Sequence, residues 1–422
     1  MTGVLSLSHP LPAGMRDLLP REAERRGALT RQLMESFELW GYQRVALPAF
    51  EYAEVLEQGL GTLDPAEVLR FVEPNTGEVV ALRPDMTPQV ARLLATRLAD
   101  APPPARLCYH GSVLRQRRER ARRRHEIEQA GIELIGRSGP EGDMEILLVA
   151  AATISASGLS EFVVDIGHAG VVASLMQGVP RPSWPELIEA LKVKDGAAVA
   201  ELAEERRVNG AIAQALARLP ELHGGEEIWP EAERVLGATP ARSAALELKT
   251  LWEAARTKSV GARVSMDFGE IWNFNYYTGA MFQILAEGPG EALGSGGRYD
   301  GLFEKFGIPR PAAGFAVDID NLDWALSKSS SPIPETTRVL VACRTDAESM
   351  LGALRAGGVR CAAAPEENPL DYAGAWHFSH LLSVDGSGAL TLKGVFDRSE
   401  LSLPAGAFGL VVAALSTGKP KT

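Results

Sequence analysis

The sequence predicts an α+β fold: an antiparallel sheet flanked by helices, with a helical insertion and a small C-terminal α/β domain. Residues 106–113 and 127–135 have strand composition and are joined by an arginine-rich loop, which favours a hairpin. Residues 183–256 are rich in alanine, leucine and glutamate, which are strong helix formers. After a Ser/Pro-rich stretch, strand, helix and strand patterns follow as in a βαβ unit. The expected boundaries are a core domain at 1–326 with its insertion at about 183–256, a linker at 327–335, and a second domain at 336–422.

The N-terminal part of the core domain begins with a helix and continues with strands. Apolar residues such as Leu29 and Leu33 recur at helical spacing over residues 20–40. Residues 42–50 alternate between apolar and polar, which predicts a strand, and Pro48 suits an edge or interface position in it. Further elements are expected at 78–82 (strand), 88–98 (helix), 264–285 (strands) and 314–319 (strand).

Composition restricts the class of protein. The 422 residues carry a net charge of -11, and bulk electrostatics of that sign argues against nucleic-acid binding. Three scattered cysteines are too few for a disulfide framework or a zinc site, so we expect a reducing compartment and no metal. We see no apolar run of membrane-spanning length, no secretory leader and no reason to expect a cofactor. These features predict a cytoplasmic protein that does not act at a membrane.

Four short segments carry chemistry suited to a free amino acid with an imidazole side chain: 82–87, 128–133, 276–278 and 294–301. A carboxylate can pair with the ligand ammonium, and an arginine can grip the ligand carboxylate through two hydrogen bonds. Buried polar groups that match an imidazole reject analogues lacking it. The candidate residues are Asp85 and Thr87 for the ammonium, Arg115 and Gln129 for the carboxylate, and Glu133, Tyr276 and Tyr277 for the imidazole.

Each of these segments also has an ordinary structural interpretation. Asp85 could be a turn residue or a helix cap, since aspartate is favoured there. The 294–301 segment could be only a tight turn, and paired tyrosines are common in strands. The loop at 114–125 holds seven arginines between Arg115 and Arg124. It could bind a nucleotide, RNA or an acidic partner, or it could be a solvated loop.

In this order and at these separations, the four segments resemble the catalytic core of histidyl-tRNA synthetase, over about residues 11–324. The resemblance implies a class II aminoacyl-tRNA synthetase-like sheet and a histidine site at the seven candidate residues. The region 336–422 resembles the anticodon-binding domain of these synthetases only weakly. It holds as many basic as acidic residues, and a net charge of zero is a poor surface for tRNA phosphates. We therefore do not expect tRNA binding.

Three positions depart from the synthetase pattern where ATP would react. Synthetases carry an arginine ahead of the paired tyrosines, an Arg-x-Glu in the second motif and an arginine at the end of the third. Cations at the first and third of these positions neutralise phosphate charge in the transition state, and the glutamate of the second helps to hold ATP but is replaced by a cation here. Each lost contact costs a few kcal/mol. Asp318 also replaces a glycine and would repel a triphosphate. The altered positions are Trp272, Arg117 and Asn321, and we expect no catalytic residues and no aminoacylation.

A synthetase core without adenylation residues is similar to the regulatory subunits of ATP phosphoribosyltransferase. That resemblance implies a dimer, a hetero-octamer with the short catalytic subunit, activation of the first step of histidine biosynthesis, and feedback inhibition by L-histidine. Histidine can inhibit only if it binds the less active state more tightly. Two alternatives stay open on the sequence: a divergent active synthetase, or a synthetase paralogue acting as a sensor module.

Overall fold

The computed structural model describes residues 11–59, 67–116, 124–258, 263–271, 276–328, 337–343 and 347–416. They form two compact units, Met1–Pro332 and Ile333–Thr422. Within the described residues, the helices are too short or too polar to cross a membrane.

The strands account for three sheets. In chain order they are β1 (Gln43–Arg44), β2 (Phe50–Tyr52), β3 (Arg70–Val72), β4 (Val79–Leu82), β5 (Ala105–Leu114), β6 (Glu126–Ile135), β7 (Val163–His168), β8 (His223–Gly224), β9 (Arg263–Asp267), β10 (Ala280–Leu285), β11 (Gly294–Arg298), β12 (Ala312–Asp318), β13 (Arg338–Ala342), β14 (Arg360–Ala363), β15 (His380–Val384), β16 (Leu390–Gly394) and β17 (Glu400–Leu403).

The helices surround these sheets and fill the insertion. In chain order they are α1 (Pro20–Leu39), α2 (Ala53–Gly59), α3 (Thr87–Arg97), α4 (Gly139–Ala156), α5 (Ala169–Met176), α6 (Trp184–Lys192), α7 (Gly196–Glu205), α8 (Gly210–Arg218), α9 (Trp229–Leu236), α10 (Arg242–Thr257), α11 (Asp300–Glu304), α12 (Ile319–Lys328), α13 (Ala347–Ala356), α14 (Pro369–Ala375) and α15 (Phe408–Ser416).

A nine-stranded sheet forms the centre of the first unit, in the order β1-β5-β6-β12-β11-β10-β7-β9-β8. Most neighbours are antiparallel, which confirms the predicted sheet, and the predicted hairpin is the long β5–β6 pair. Two pairs, β1–β5 and β7–β9, are parallel. The fold is therefore a mixed sheet with an antiparallel middle.

Register divides the side chains of this sheet into two faces of different chemistry. One row across the sheet is apolar and buried, because matched positions on β6, β12, β11, β10 and β7 hold Ile132, Phe315, Gly296, Phe282 and Ile166. The adjacent row, one residue on, points to the opposite face. That row contains Glu133, Gly314, Gly297, Met281, Gly167 and Asp267.

Helices α1 and α4 cover the apolar face. Thr30 of α1 lies 3.5 Å from Glu128, and Arg106 of β5 donates to Glu145 of α4 at 2.6 Å. Both strand residues belong to that face, since they alternate with Glu133 and Leu107. On the opposite face, Leu94 of α3, Tyr299 and Phe303 of α11 belong to one buried cluster.

A buried ionic network ties α12 to the N-terminal segment. Asp320 is 5% exposed and pairs with Arg16, Arg26 and Arg124. On the next turn of α12, Asp323 accepts two hydrogen bonds of 2.6 Å from Arg25. Burying several arginines is costly unless each has a carboxylate partner, so these two aspartates stabilise the packing of α1 against α12.

The single strand predicted over residues 42–50 is wrong. Only Gln43–Arg44 and Phe50–Tyr52 are strands, and they belong to different sheets. Between them, the Pro48 carbonyl accepts hydrogen bonds from Arg83 and Gln89 instead of from a neighbouring strand. The small second sheet, in the order β2-β4-β3, contains the strand expected at 78–82.

The predicted helical region lies between β7 and β9 and contains α6 to α10. The Ile333–Thr422 unit has its own five-stranded sheet, in the order β14-β13-β15-β16-β17. Strands β13, β14 and β15 are parallel neighbours, which includes the predicted βαβ unit, and β16 and β17 extend the sheet antiparallel. Its core is buried around Val339, Leu354 and Leu382.

Replacing Asp320 should test the ionic network. We expect Asp320→Ala to lower the free energy of unfolding by about 3–5 kcal/mol, because the buried Arg26 loses its shortest carboxylate contact. Urea denaturation followed by circular dichroism measures this loss. Glu141→Ala is the control, since Glu141 pairs with Arg137 but its side chain is 80% exposed, and a change within about 0.5 kcal/mol is expected there. Equal losses in both variants would contradict the assignment.

Candidate functional site

The candidate site is built around the Glu133 carboxylate, which is fully buried on the face of the sheet opposite α1 and α4. Thr87 at the start of α3 donates to it at 2.7 Å, and Tyr109 of β5 donates at 3.2 Å. Tyr299, just after β11, donates to the other carboxylate oxygen. Three hydroxyl groups from three parts of the chain therefore converge on one carboxylate.

Glycines on neighbouring strands give these groups their room. A Cβ atom at Gly314 would lie 2.5 Å from Glu133 Oε2 and would also meet the Tyr299 hydroxyl. At Gly131 it would lie 2.6 Å from the Tyr109 hydroxyl, and at Gly297 2.7 Å from the Tyr277 ring. Contacts this short force a neighbour to move, so the glycines are part of the site geometry.

Asp85 and Arg115 form the second part of the site. The Arg115 Nε group donates to the Pro84 carbonyl at 2.6 Å, and its guanidinium lies 3.8 Å from the Asp85 carboxylate. Asp85 Oδ1 also accepts from the backbone N–H of Thr87, the first residue of α3, at 3.1 Å. Both charged side chains keep some exposure, 28% for Asp85 and 18% for Arg115, and are thus accessible to a ligand.

The paired tyrosines border the same space. The ring centroids of Tyr276 and Tyr277 lie 5.0 Å apart at 90°, and Tyr276 lies 5.2 Å from Tyr299. The backbone N–H of Thr278 donates to the Arg298 carbonyl at 2.7 Å, which fixes the tyrosine segment against the end of β11. The Arg298 side chain is buried and donates to Asp143 at 2.6 Å. Arg298 is thus a structural anchor behind the site.

Electrostatics at Glu133 favours the neutral acid. Burial raises the pKa of Glu133 to about 8, the hydroxyl hydrogen bonds oppose this rise, and the nearby Asp85 charge adds to it. Burial and the Asp85 charge likewise raise the pKa of Tyr276 and Tyr277. The site therefore holds two acidic groups, of which the deeper one takes up a proton near neutral pH.

The structure brings six of the seven candidate residues together: Asp85, Thr87, Arg115, Glu133, Tyr276 and Tyr277. The seventh, Gln129, lies on the same strand and face as Glu133, four residues earlier. Sequence reasoning assigned no role to Tyr109 or Tyr299. Tyr299 lies inside the quoted 294–301 segment, whereas Tyr109 gave no signal beyond strand alternation.

Of the three altered positions, Asn321 can be described, and Trp272 and Arg117 lie outside the described residues. Asn321 is buried, and its side-chain amide donates to the Ala292 carbonyl at 3.0 Å. Its backbone N–H donates to Asp318 Oδ1 at 3.0 Å, so Asp318 binds the first turn of α12. Both side chains therefore have structural roles at the end of the third motif.

A second acidic group lies further along the same face. Carboxylate oxygens of Asp165, Asp267 and Glu270 lie within 4.8 Å of one another, a spacing compatible with a metal ion. However, the Lys194 ammonium already bonds both Asp267 oxygens, at 2.8 and 3.0 Å, and Ser265 bonds Asp165 at 2.5 Å. These bonds account for the cluster as an internal ion pair between the insertion and the sheet.

Comparison with known proteins agrees with this geometry. The family model for histidyl-tRNA synthetase matches residues 14–322. A histidyl-tRNA synthetase structure from Nostoc shares the fold with a TM-score of 0.78, at 19% identity over 98% of this chain and 100% of that one. The fold and the family match thus define a class II synthetase-like protein.

Two further relatives narrow the class. A protein from Syntrophotalea carbinolica, named ATP phosphoribosyltransferase regulatory subunit, is 35% identical over 93% of this chain and 95% of its own length. A Bacillus halodurans structure described as an ATP phosphoribosyltransferase regulatory subunit/histidyl-tRNA synthetase has a TM-score of 0.77 at 28% identity, over 89% of this chain and 98% of that one. The chain belongs to the family of ATP phosphoribosyltransferase regulatory subunits.

Adding one methyl group at Gly314 should disturb the site. We expect Gly314→Ala to lower the free energy of unfolding by about 1–3 kcal/mol, because the new Cβ overlaps Glu133 and Tyr299. Thermal unfolding and near-ultraviolet circular dichroism of the tyrosines measure the effect. Gly301→Ala is the matched control, because nothing lies within 4 Å of a Cβ there. A stable Gly314→Ala protein with an unchanged tyrosine spectrum would show that the close packing is not required.

Proposed function

We propose that this protein is a non-catalytic regulatory subunit that senses L-histidine and controls the short catalytic subunit of ATP phosphoribosyltransferase. The observation that supports the proposal is the meeting of Asp85, Thr87 and Glu133 with paired tyrosines, in a chain whose third motif ends in a neutral asparagine. A pocket of this kind recognises a ligand without supplying charge for phosphate chemistry. Family membership adds the identity of the enzyme that is regulated.

The proposed ligand pose follows the distribution of charge in the site. The ligand ammonium pairs with Asp85, and its carboxylate pairs with Arg115, which already lies 3.8 Å from Asp85. Gln129 adds an amide donor on the same face of β6. The imidazole points inward to Glu133, between the tyrosine rings. An amino acid with an apolar side chain would leave the buried carboxylate without a new partner and would bind weakly.

The proposed loss of aminoacylation depends on missing cations. In synthetases the third motif ends in an arginine that packs on adenine and reaches a phosphate. Asn321 is buried here and its amide is engaged with the Ala292 carbonyl. Asp318 adds negative charge at the same place. We infer that a triphosphate lacks the contacts needed to stabilise its reaction.

Regulation is proposed to work through assembly. Histidine bound to this subunit can lower catalysis in a partner only by favouring the less active arrangement of the complex. The hetero-octamer of regulatory and catalytic subunits, and the dimer of this chain, are part of the same proposal. So are activation of the catalytic subunit without histidine and its inhibition with histidine, in the first step of histidine biosynthesis in the cytoplasm.

Isothermal titration calorimetry with histidine tests the pocket. We expect Asp85→Asn to weaken histidine binding by about 10–100-fold, because one charge-assisted hydrogen bond is worth roughly 1.5–3 kcal/mol. The asparagine oxygen can still accept from the Thr87 backbone N–H. Binding of imidazolepropionate, which lacks the amino group, should be the same in both proteins. Asp100→Asn, at an exposed site, is the control. Equal weakening for both ligands would contradict the assignment of Asp85 to the ammonium.

Two assays separate the regulator from an active synthetase. We expect the purified protein to show no histidine-dependent tRNA charging, and to change the turnover of the catalytic subunit when the two are mixed. Activation should fall when histidine is added. The single substitution Asn321→Arg should not restore tRNA charging, because Trp272 and Arg117 also depart from the synthetase pattern. Charging by the unmodified protein would refute the proposal.

A further inference from the structure

Among the residues that the structure describes, the buried carboxylate at the centre of the site has hydroxyl partners but no cationic one. Its hydrogen bonds come from Thr87, Tyr109 and Tyr299, and the salt bridges of the described residues do not include Glu133. Arg115 pairs with Asp85 instead. A carboxylate with no counter-ion in a dry environment pays a large desolvation cost and tends to hold a proton.

We propose, building on the proposed histidine site, that Glu133 is protonated in the empty pocket and passes its proton to the imidazole of the bound ligand. The oxygen–hydrogen bond of the carboxylic acid breaks, a nitrogen–hydrogen bond forms on the ring, and an imidazolium–carboxylate pair results. No other reactant is needed. The ligand side chain thus becomes the counter-ion that the pocket lacks.

The surroundings of Glu133 favour the ionised form once the ring is charged. The three hydroxyl groups can then all donate to the carboxylate, whereas with a carboxylic acid one of them must accept. Asp85 is also negative and stabilises a cationic ring nearby, which offsets its repulsion of Glu133. The pocket is therefore matched to a side chain that is both planar and basic.

The pH dependence of histidine affinity depends on every titratable group near Glu133. Besides Asp85 and Arg115 they are phenols, whose pKa values are raised by burial, so they stay protonated across the useful range. The groups are Asp85, Arg115, Tyr42, Tyr109, Tyr276, Tyr277 and Tyr299. The raised pKa of Glu133, about 8, and that of the ligand imidazole, about 6.5, then set the two limits.

The direction in which affinity changes at each of these two pKa values follows from the number of protons held before and after binding. The complex holds one proton between Glu133 and the ring. Between about pH 6.5 and 8 the free partners also hold one, so affinity is constant. Below about pH 6.5 the free imidazole is protonated, so one proton must be released when the ligand binds. Above about pH 8 Glu133 of the empty pocket is ionised, so one proton must be taken up when the ligand binds. Affinity should therefore fall by about tenfold per pH unit on either side.

The test is calorimetric titration of the full chain with histidine from pH 5.5 to 9.5, in buffers of different ionisation enthalpy that report the protons exchanged. We expect no net exchange at pH 7.3, release of one proton at low pH and uptake at high pH. The ligand ammonium also loses its proton at high pH. The part of the alkaline pH dependence that Glu133 causes is therefore the difference between the affinity profiles of the native protein and of Glu133→Gln. Glu141→Gln is the control, at an 80% exposed side chain.

A second readout does not depend on any variant folding. Nitrogen-15 spectra of ring-labelled histidine, bound to the native protein at pH 7.5, should show an imidazolium although the free ligand is neutral. Triazolylalanine, an isostere too weakly basic to accept the proton, should bind at least 100-fold more weakly than histidine. A neutral bound ring, or equal affinity for the triazole, would overturn the proton transfer while leaving the histidine site intact. No histidine binding at any pH would overturn both.

Discussion

The arrangement of the first unit depends on keeping one carboxylate buried beside a sheet. Glu133 lies on the central β6 strand, and its partners come from α3, β5 and the segment after β11. These segments meet only if β6, β12 and β11 keep a register that sets Glu133 beside Gly314 and Gly297. A shift of one residue would exchange this row for the apolar one. The strand register, the glycines and the hydroxyl groups must therefore be in place together, and together they form the candidate site.

In this fold, the residues proposed to bind the amino acid are held separately from the end of the third motif, where ATP would react. The amino-acid side of the pocket is held by bonds among buried groups, so each residue also stabilises the structure. At the end of the third motif, by contrast, Asn321 and Asp318 satisfy local backbone groups. The proposed function uses this separation: reactivity toward ATP is lost while the pocket for the amino acid persists.

Much of this fold could be predicted from the sequence, because strand alternation in β5 and β6 and the helical spacing in α1 are strong local signals. Short motifs also single out Glu133 and Thr87, which the structure joins by a hydrogen bond, while their role in binding a ligand stays a prediction. Helix α4 was not predicted, because it is buried on most sides and lacks a polar stripe. Asp320 was missed because its role depends on arginines from distant segments. The error at 42–50 has the same origin, since side chains from elsewhere bind its carbonyl groups.

The path of the chain between β7 and β9 has a consequence for how this fold can diverge. Parallel neighbours need a crossover that returns along the sheet, here past 5 paired positions, or about 17 Å. Helix α10 alone has 16 residues, about 24 Å, and packs against both strands. Helix α10 alone is therefore long enough to make that crossover. The smaller helices α6 to α9 are additions to a connection that the sheet already requires, so their length and surface can vary as long as β8, which lies between α8 and α9, keeps its pairing with β9.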